Sequence, residues 1–242
     1  MSRPLHVLVT RPAGQHQALV ARLTEAGFRV SHQGALHIEA LPLSPAARQQ
    51  LLDIDQYHAV FFVSVNAARL ALEQLEVFWP QWPAGVHWLA VGPATAETLA
   101  LAGLPVEMPR TGFDSEAVLA LDCLRELPGK RVLICGGEGG RQLLADTLRL
   151  RGAEVDRIVL YRRVCAAGFA MPAPPPELVL VTSLQSWQCI AAQVDPVSQV
   201  VVPSERVAET VRQQHGRVMV AASATDDDML DACLSFAAKT HC

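Results

Sequence analysis

The chain has 242 residues, of which 50% are apolar and 5% aromatic, and its formal net charge is −4. Such a chain can bury one large core or two modest ones, and its negative charge argues against a nucleic-acid-binding surface. No apolar run reaches the roughly 18 residues of a membrane-spanning helix. The first residues lack the three regions of a signal peptide, so we expect a cytoplasmic protein.

Short runs rich in Val, Leu and Ile alternate with amphipathic runs along the whole chain. The runs that predict strands are 6–10, 59–64, 87–92, 106–108, 131–135, 178–183, 199–203 and 217–221. Helical patterns are found at 15–25, 66–75, 94–102 and 140–151, and the acidic run 226–228 is typical of the first turn of another helix. Near-continuous apolar strands that alternate with helices indicate an α/β fold, with parallel sheets covered on both faces.

The chain also repeats its own pattern. Residues 7–30 and 132–155 share eight identical positions at an offset of 125, without gaps. Further matches follow in the same order, and one of them pairs Ser64 with Ser183. We interpret residues 1–123 and 126–242 as two copies of a four-unit strand–helix pattern, which is an internal duplication.

A glycine cluster, "GGEGGRQ" at 136–142, raises the question of a nucleotide site. It lacks the Gly-Lys-Ser/Thr ending of a Walker A loop and the third glycine of a dinucleotide loop, and its counterpart "TRPAGQHQ" at 10–17 keeps one glycine. A nucleotide-using transferase is therefore disfavoured. Both loops keep a strand end followed by a helix start, whose free backbone N–H groups can bind an anion.

Side chains with chemical function are sparse. No Ser-His-Asp/Glu or Cys-His set can be assembled from local motifs, and the strand ends carry hydroxyl, amide and basic groups that suit either helix capping or ligand binding. Tyr161 ends an apolar run and is a candidate, with core packing as the alternative; for His16 we favour a structural or surface role. We predict free buried thiols and no metal site for the cysteines. They are Cys123, Cys135, Cys165, Cys189, Cys233 and Cys242.

Several motifs, taken in chain order, resemble the uroporphyrinogen-III synthase family over nearly the whole length. The loops "VPSER" at 202–206 and "SLQSW" at 183–187 depart from the family's usual turns. The motifs are Thr10-Arg11-Pro12, Ser64 with Asn66, Gly92 with Thr95-Ala96 and Gly103, Asp114-Ser115, Gly129-Lys130, Tyr161, and Ser183.

The resemblance implies two flavodoxin-like parallel-sheet domains, joined by a two-stranded linker, with a cleft between them. One domain combines residues 1–37 with 165–242, and the other is 38–164. The first unit of each half would thus join three units of the other half.

The implied reaction is that of a hydro-lyase: hydroxymethylbilane is cyclised with loss of water and inversion of ring D, giving uroporphyrinogen III for haem and sirohaem. The resemblance implies no metal or cofactor, a monomer, and hand-over of substrate from hydroxymethylbilane synthase. Tyr161 is the candidate proton donor. The candidate substrate-binding residues are Thr10, Arg11, Pro12, Ser64, Asn66, Gly92, Thr95, Gly139, Arg141, Ser183, Ser204 and Arg206. The alternative is a non-catalytic two-domain hinge protein that binds a small anionic ligand.

Overall fold

The structure, a computed structural model, describes residues 3–112, 115–139 and 142–240, so Asp114 and Arg141 lie outside the described residues. The chain divides into two compact units. Unit 1 consists of residues 1–37 and 164–242, and unit 2 consists of residues 38–163.

The described residues form short strands that alternate with helices. The strands are β1 (His6–Val9), β2 (Arg29–His32), β3 (Leu36–Ala40), β4 (Ala59–Phe62), β5 (His87–Ala90), β6 (Val106–Glu107), β7 (Arg131–Gly137), β8 (Glu154–Cys165), β9 (Leu178–Leu180), β10 (Gln199–Val202) and β11 (Val218–Val220). The helices are α1 (Gln17–Glu25), α2 (Pro45–Leu52), α3 (Val65–Phe78), α4 (Pro93–Leu101), α5 (Ser115–Leu119), α6 (Leu143–Leu150), α7 (Leu184–Ile190), α8 (Glu205–Arg212) and α9 (Asp226–Thr240).

Each unit is built on one sheet. The strand order is β11-β10-β9-β1-β2 in unit 1, where every pair is parallel. Numbered along unit 1 alone, this is the 2-1-3-4-5 order of flavodoxin-like folds. The second sheet has the order β3-β8-β7-β4-β5-β6, and its strands from β8 to β6 are also parallel. The predicted fold class is confirmed.

Each sheet combines strands from both halves of the chain. β1 and β2 from the first half lie beside β9, β10 and β11 from the second half, while β7 and β8 lie beside β4, β5 and β6. The chain passes between units within β3 and β8, which are neighbours in one sheet.

All eight predicted strands are present, but β2, β3 and β8 were not among them. β2 and β3 lack continuous apolar runs, and in β8 the short apolar run 158–161 lies between charged residues, because many side chains of these strands are partly or fully exposed. In β8, for example, Ile158 and Leu160 are buried while Arg157 and Arg162 are exposed. The predicted acidic start of a helix is confirmed by α9, which begins at Asp226.

Successive side chains along each strand point to opposite faces of the sheet, so each sheet has a hydrophobic core on both faces. In β1, Leu8 packs with Val179 and Val200 on one face, while Val7 and Val9 pack with α1 and α9 residues on the other. Unit 2 has two equivalent clusters. Helices therefore cover both faces, which is why the central strands read as unbroken apolar runs. None of the helices in the described part of the chain is long and apolar enough to cross a membrane.

The prediction that all cysteines are free was wrong, because Cys165 and Cys189 form a disulfide within unit 1. Their 24-residue separation carries no recognisable spacing, so only the fold brings them together. Among the described residues, Cys135 and Cys233 are free and buried, and burial raises the pKa of each thiol to about 12. Cys123 is free and half-buried.

Candidate functional site

The predicted binding residues follow strands that are central in the two sheets. In unit 2 the strand order reverses between β7 and β4, and in unit 1 it reverses between β1 and β9. Loops at the carboxyl ends of strands beside such a reversal are the usual ligand-binding positions of open α/β sheets.

Ser64 follows β4 and caps α3. Its backbone is extended, with φ −169°, and its Oγ accepts a hydrogen bond of 3.1 Å from Ala67 N. Capping alone is therefore one role of this residue. Its second contact is more informative, because Oγ also lies 3.0 Å from the hydroxyl of Tyr161.

Tyr161 is held on β8 with its side chain inside unit 2. Only 1% of the residue is exposed, and the ring lies against Gly137 at the end of β7. A Cβ atom at Gly137 would lie 2.6 Å from two ring carbons, so this close approach requires glycine. The register between β7 and β8 shifts at Gly136/Gly137, which brings Tyr161 opposite Gly137. Tyr161 therefore packs in the core of unit 2 while its hydroxyl contacts Ser64.

Two arginines of β8 surround this tyrosine and the glycine loop. Arg163 Nη2 donates to the Tyr161 hydroxyl over 3.3 Å, and its guanidinium carbon lies 5.5 Å from the ring centroid. Arg157 Nη2 donates to Gly137 O over 2.9 Å and also to Gly139 O. The carbonyl groups of the loop are therefore held by a cation, while Gly139 itself is exposed with φ +72°.

The other unit 2 candidates differ in accessibility. Asn66 is half-buried in the first turn of α3. Gly92 is the buried N-cap of α4, and Thr95, in the first turn of the same helix, is only 3% exposed. Gly92 has an extended backbone. Because glycine has no side chain, the N-terminus of α4 has no side-chain cap at this position. The starts of α3 and α4 both follow neighbouring parallel strands.

In unit 1, two predicted binding residues are engaged within the protein. Thr10 is fully buried, and its hydroxyl donates to Leu180 O over 2.7 Å, which ties β1 to β9. Arg11 forms an ion pair with Asp226 at the start of α9 and donates to Ala224 O over 2.6 Å. The charge of Arg11 is thus largely balanced by Asp226.

The remaining unit 1 candidates lie at helix starts. Pro12 is half-buried and its carbonyl accepts from Gln15 N over 3.1 Å. Ser183 caps α7 by accepting from Ser186 N over 3.1 Å. Ser204, the N-cap of α8, makes no capping bond with its side chain. Arg206 is exposed, and it has no ion pair with any residue between positions 3 and 240 that the structure describes.

His16 has a structural setting, as expected. Its ring stacks on His32 with centroids 3.4 Å apart, and His32 Nε2 contacts Arg11 O over 2.8 Å. Burial, and secondarily His32, lower the pKa of His16.

Sequence reasoning missed Gly137, Arg157, Arg163 and Asp226 as neighbours of the candidate residues. The unbroken run "CGG" at the end of a strand was the only sequence signal for a close approach at Gly137.

Comparisons with known proteins agree with these motifs. A family model described as "Uroporphyrinogen-III synthase HemD" matches residues 17–231. The chain is 32% identical over 247 residues to a uroporphyrinogen-III synthase of Escherichia coli K12, covering 93% of this chain and 98% of that one. It is 35% identical over 161 residues to a uroporphyrinogen-III synthase of Proteus mirabilis, covering 66% and 81% of the two chains.

Solved structures show the same fold. A uroporphyrinogen-III synthetase from Helicobacter pylori 26695 has a TM-score of 0.65 at 15% identity, covering 97% of this chain and all of that one. A mutant uroporphyrinogen III synthase from the extremely thermophilic bacterium Thermus thermophilus has a TM-score of 0.60 at 16% identity, covering 98% and 99%. At these identities the likeness concerns the fold alone.

Proposed function

This chain belongs to the uroporphyrinogen-III synthase family, and we propose that it cyclises hydroxymethylbilane to uroporphyrinogen III with Ser64 and Tyr161 at its reacting end. The observation that carries the residue assignment is the 3.0 Å contact between these two hydroxyls beside the strand reversal of unit 2.

Tyr161 fits the role of a buried proton donor, and Ser64 fits the role of the group that passes the proton on to the substrate. The Tyr161 hydroxyl is almost fully buried, whereas Ser64 is half-buried at the end of β4. A proton that leaves Tyr161 passes to Ser64 Oγ, and the Ser64 hydroxyl proton passes to the leaving hydroxyl group of the bilane. The C–O bond of the hydroxymethyl group then breaks and water departs.

Arg163 suits this transfer by its position. It donates to the Tyr161 hydroxyl over 3.3 Å, so a guanidinium group lies beside the oxygen atom that gives up the proton. The electron-rich pyrrole of the substrate supplies the electron pair that expels the hydroxyl group. The substituted α carbon of the terminal pyrrole ring attacks the released methylene carbon and forms a spiro intermediate. The bond from that α carbon to the preceding bridge methylene then breaks, and the free α carbon of the same ring attacks the freed methylene, which inverts ring D. The proton lost from this second α carbon restores aromaticity and returns to Tyr161 through Ser64.

Binding of a substrate with eight carboxylates by a chain of net charge −4 needs local rather than overall positive potential. The N-termini of α3, α4, α7 and α8 all follow parallel strands, and each offers a partial charge that stabilises an anion by about 0.3–1 kcal/mol. Arg206 adds a full charge at α8. We propose that Asn66, Gly92, Ser183, Ser204 and Arg206 contact substrate carboxylates.

Four other predicted binding residues have a smaller part in this proposal. Thr10 and Arg11 shape the first loop through their internal bonds, and Pro12 and Thr95 fix the backbone at helix starts. Gly139 contributes backbone only, and Arg141 remains a sequence-based candidate.

The test is an isomer assay. Pure protein is added to hydroxymethylbilane that is generated enzymatically, without metal or cofactor, and the type III and type I products are separated. We expect type III from the unaltered chain, and mainly the spontaneous type I from Tyr161→Phe. Ser64→Ala is expected to lose activity to a similar extent, and the double variant to lose no more than either, because the two groups act as one relay.

Ser44 provides a matched control for the capping role of Ser64. Ser44 caps α2 through an identical 3.1 Å bond to Ala47 N, and its side chain has no tyrosine partner among the residues that the structure describes. Ser44→Ala and Ser64→Ala should therefore lower stability equally, by about 1 kcal/mol, while only Ser64→Ala changes the isomer ratio. Unchanged turnover in Tyr161→Phe, or equal activity of the two serine variants, would contradict the relay.

We further propose that units 1 and 2 are the two domains of the family, that the enzyme is a hydro-lyase and a monomer, and that it receives its substrate from hydroxymethylbilane synthase in the cytoplasm. The division of the chain at 37/38 and 163/164 supports the first of these proposals. Sedimentation of the pure protein tests whether it is a monomer, and sedimentation together with that synthase tests whether the two proteins associate for the hand-over of substrate.

A further inference from the structure

Three donor side chains from separate elements meet near the amino end of β5 in unit 2. His87 begins β5, Glu107 ends β6, and Cys123 lies in the 3-10 helix Asp122–Leu124. One ligand atom of each residue lies within 4.8 Å of the others. The three positions are far apart in the chain, so no spacing motif marks them, and the sequence analysis predicted no metal site.

The backbone around these residues is firmly connected. β5 pairs with β6 in parallel register, and His87 itself pairs with Ala59 of β4. His58 Nε2 lies 2.8 Å from Cys123 O, and its ring packs edge-on against His87 with centroids 4.9 Å apart. The segment that carries Cys123 is thus attached to the strands that carry the other donors.

The donors are an imidazole nitrogen, a carboxylate oxygen and a thiol sulfur, which together are typical of zinc. Ligand atoms that lie 2.0–2.3 Å from a tetrahedral zinc are about 3.3–3.7 Å from one another. The observed group needs only small side-chain rotations to reach that geometry, since His87 Nδ1 and Glu107 Oε1 are 2.6 Å apart and the whole set spans at most 4.8 Å.

Solvent can also reach this group of side chains. Glu107 is exposed, and the side chain of His87 is 38% exposed. A fourth ligand from water can therefore complete a tetrahedral site. We propose that His87, Glu107 and Cys123 bind one Zn²⁺ ion, with water as fourth ligand, and that this ion joins β5, β6 and the 122–124 turn.

The position indicates a structural ion. His87 is at the amino end of β5, whereas Gly92 and the Ser64–Tyr161 contact follow the carboxyl ends of β5 and β4. The ion would therefore stabilise the edge of the sheet without touching the reacting groups, and this proposal does not depend on the proposed function.

Cobalt(II) titration of the full chain tests the site, because a thiolate ligand gives a sulfur-to-cobalt charge-transfer band. The measurements use a His241→Gln, Cys242→Ser background, which removes two further donors at the C-terminus, and no reductant, which keeps the Cys165–Cys189 disulfide closed. We expect the band to saturate at one equivalent and to vanish on addition of Zn²⁺. Cys123→Ser should abolish it, and His87→Gln should weaken binding at least about 10-fold.

Glu107→Gln keeps the test valid if Cys123→Ser does not fold, because Glu107 is exposed. It should also weaken binding about 10-fold or more. Cys233→Ala and His37→Gln are matched controls elsewhere in the chain and should leave the titration unchanged. Zn²⁺ at a hundred times its dissociation constant should raise the Tm of the background protein by about 5–10 °C, and that of Glu107→Gln by much less. A missing band, a band that survives Cys123→Ser, or equal affinity in all variants would overturn the proposal and leave the His87–Glu107 contact as a simple hydrogen bond.

Discussion

Substitution of Gly137 by alanine tests whether the position of Tyr161 controls the reaction. The new Cβ would lie 2.6 Å from ring atoms Cε2 and Cζ of Tyr161, whereas carbon atoms pack at about 3.5–4.0 Å. The ring must therefore retreat by about 1 Å. A shift of that size takes the hydroxyl out of range of a bond to Ser64 that is now 3.0 Å long.

Two magnitudes follow from this geometry. Overpacking of this kind costs about 1–3 kcal/mol of stability, which lowers the Tm by about 2–10 °C in a chain of this size. A displacement of about 1 Å at a positioned group can reduce catalysis by about 100-fold. The expected result of Gly137→Ala is thus a moderate loss of stability and a much larger loss of type III product.

Gly136→Ala is the matched control at the neighbouring position. Its Cβ would lie 3.0 Å from one methyl group of Val63, a single atom at the end of a side chain. Thermal unfolding and the isomer assay are measured for both variants. If Gly137→Ala retains the isomer ratio and turnover of the unaltered chain, or if both alanine variants lose activity in proportion to stability, the reasoning is refuted.

Three other expectations rest on separate contacts. Burial alone raises the pKa of Asp156, but hydrogen bonds from Tyr57 and Arg131 lower it overall. The stabilisation from this carboxylate is therefore present above the ordinary carboxyl pKa of about 3.9 and is lost as pH falls through the lowered pKa. Asp156→Asn should lower the Tm at pH 7, and equal losses of Tm at pH 7 and well below that lowered pKa would contradict this. Closure of the Cys165–Cys189 loop stabilises by about 3 kcal/mol, so a reductant should lower the Tm of the unaltered chain but not that of Cys165→Ser. Arg206→Ala should raise KM for the bilane more than Arg11→Gln does, because Arg11 is already paired with Asp226; steady-state kinetics that rank them in reverse would refute this.

The central strands were predictable because they are buried on both sides. β1, β4, β9 and β10 contain almost only apolar residues, since helices cover each face of the sheet. The exchange of units between halves was expected from the internal repeat and the family resemblance rather than from periodicity.

The partly exposed strands and the long-range contacts were not predictable. In β8 the apolar run 158–161 is short and lies between charged residues, although this strand positions Tyr161, Arg157 and Arg163. The candidate site residues stay predictions, and their partners depend on tertiary contacts such as those between Arg11 and Asp226 or Ser64 and Tyr161. The Cys165–Cys189 pair has the same origin.

The nesting of unit 2 within unit 1 has a consequence for synthesis on the ribosome. All of unit 2 has been made once residue 163 is added, whereas β1 gains its second neighbour, β9, only when residues 178–180 follow. At about 5–20 residues per second, the stretch after β2 takes about 7–30 s to translate. During that time the apolar strand β1 lacks its neighbour β9, so the nascent chain exposes an apolar N-terminal segment to which a chaperone can bind. Unit 2 can therefore fold first, and unit 1 folds once both of its chain segments have been made.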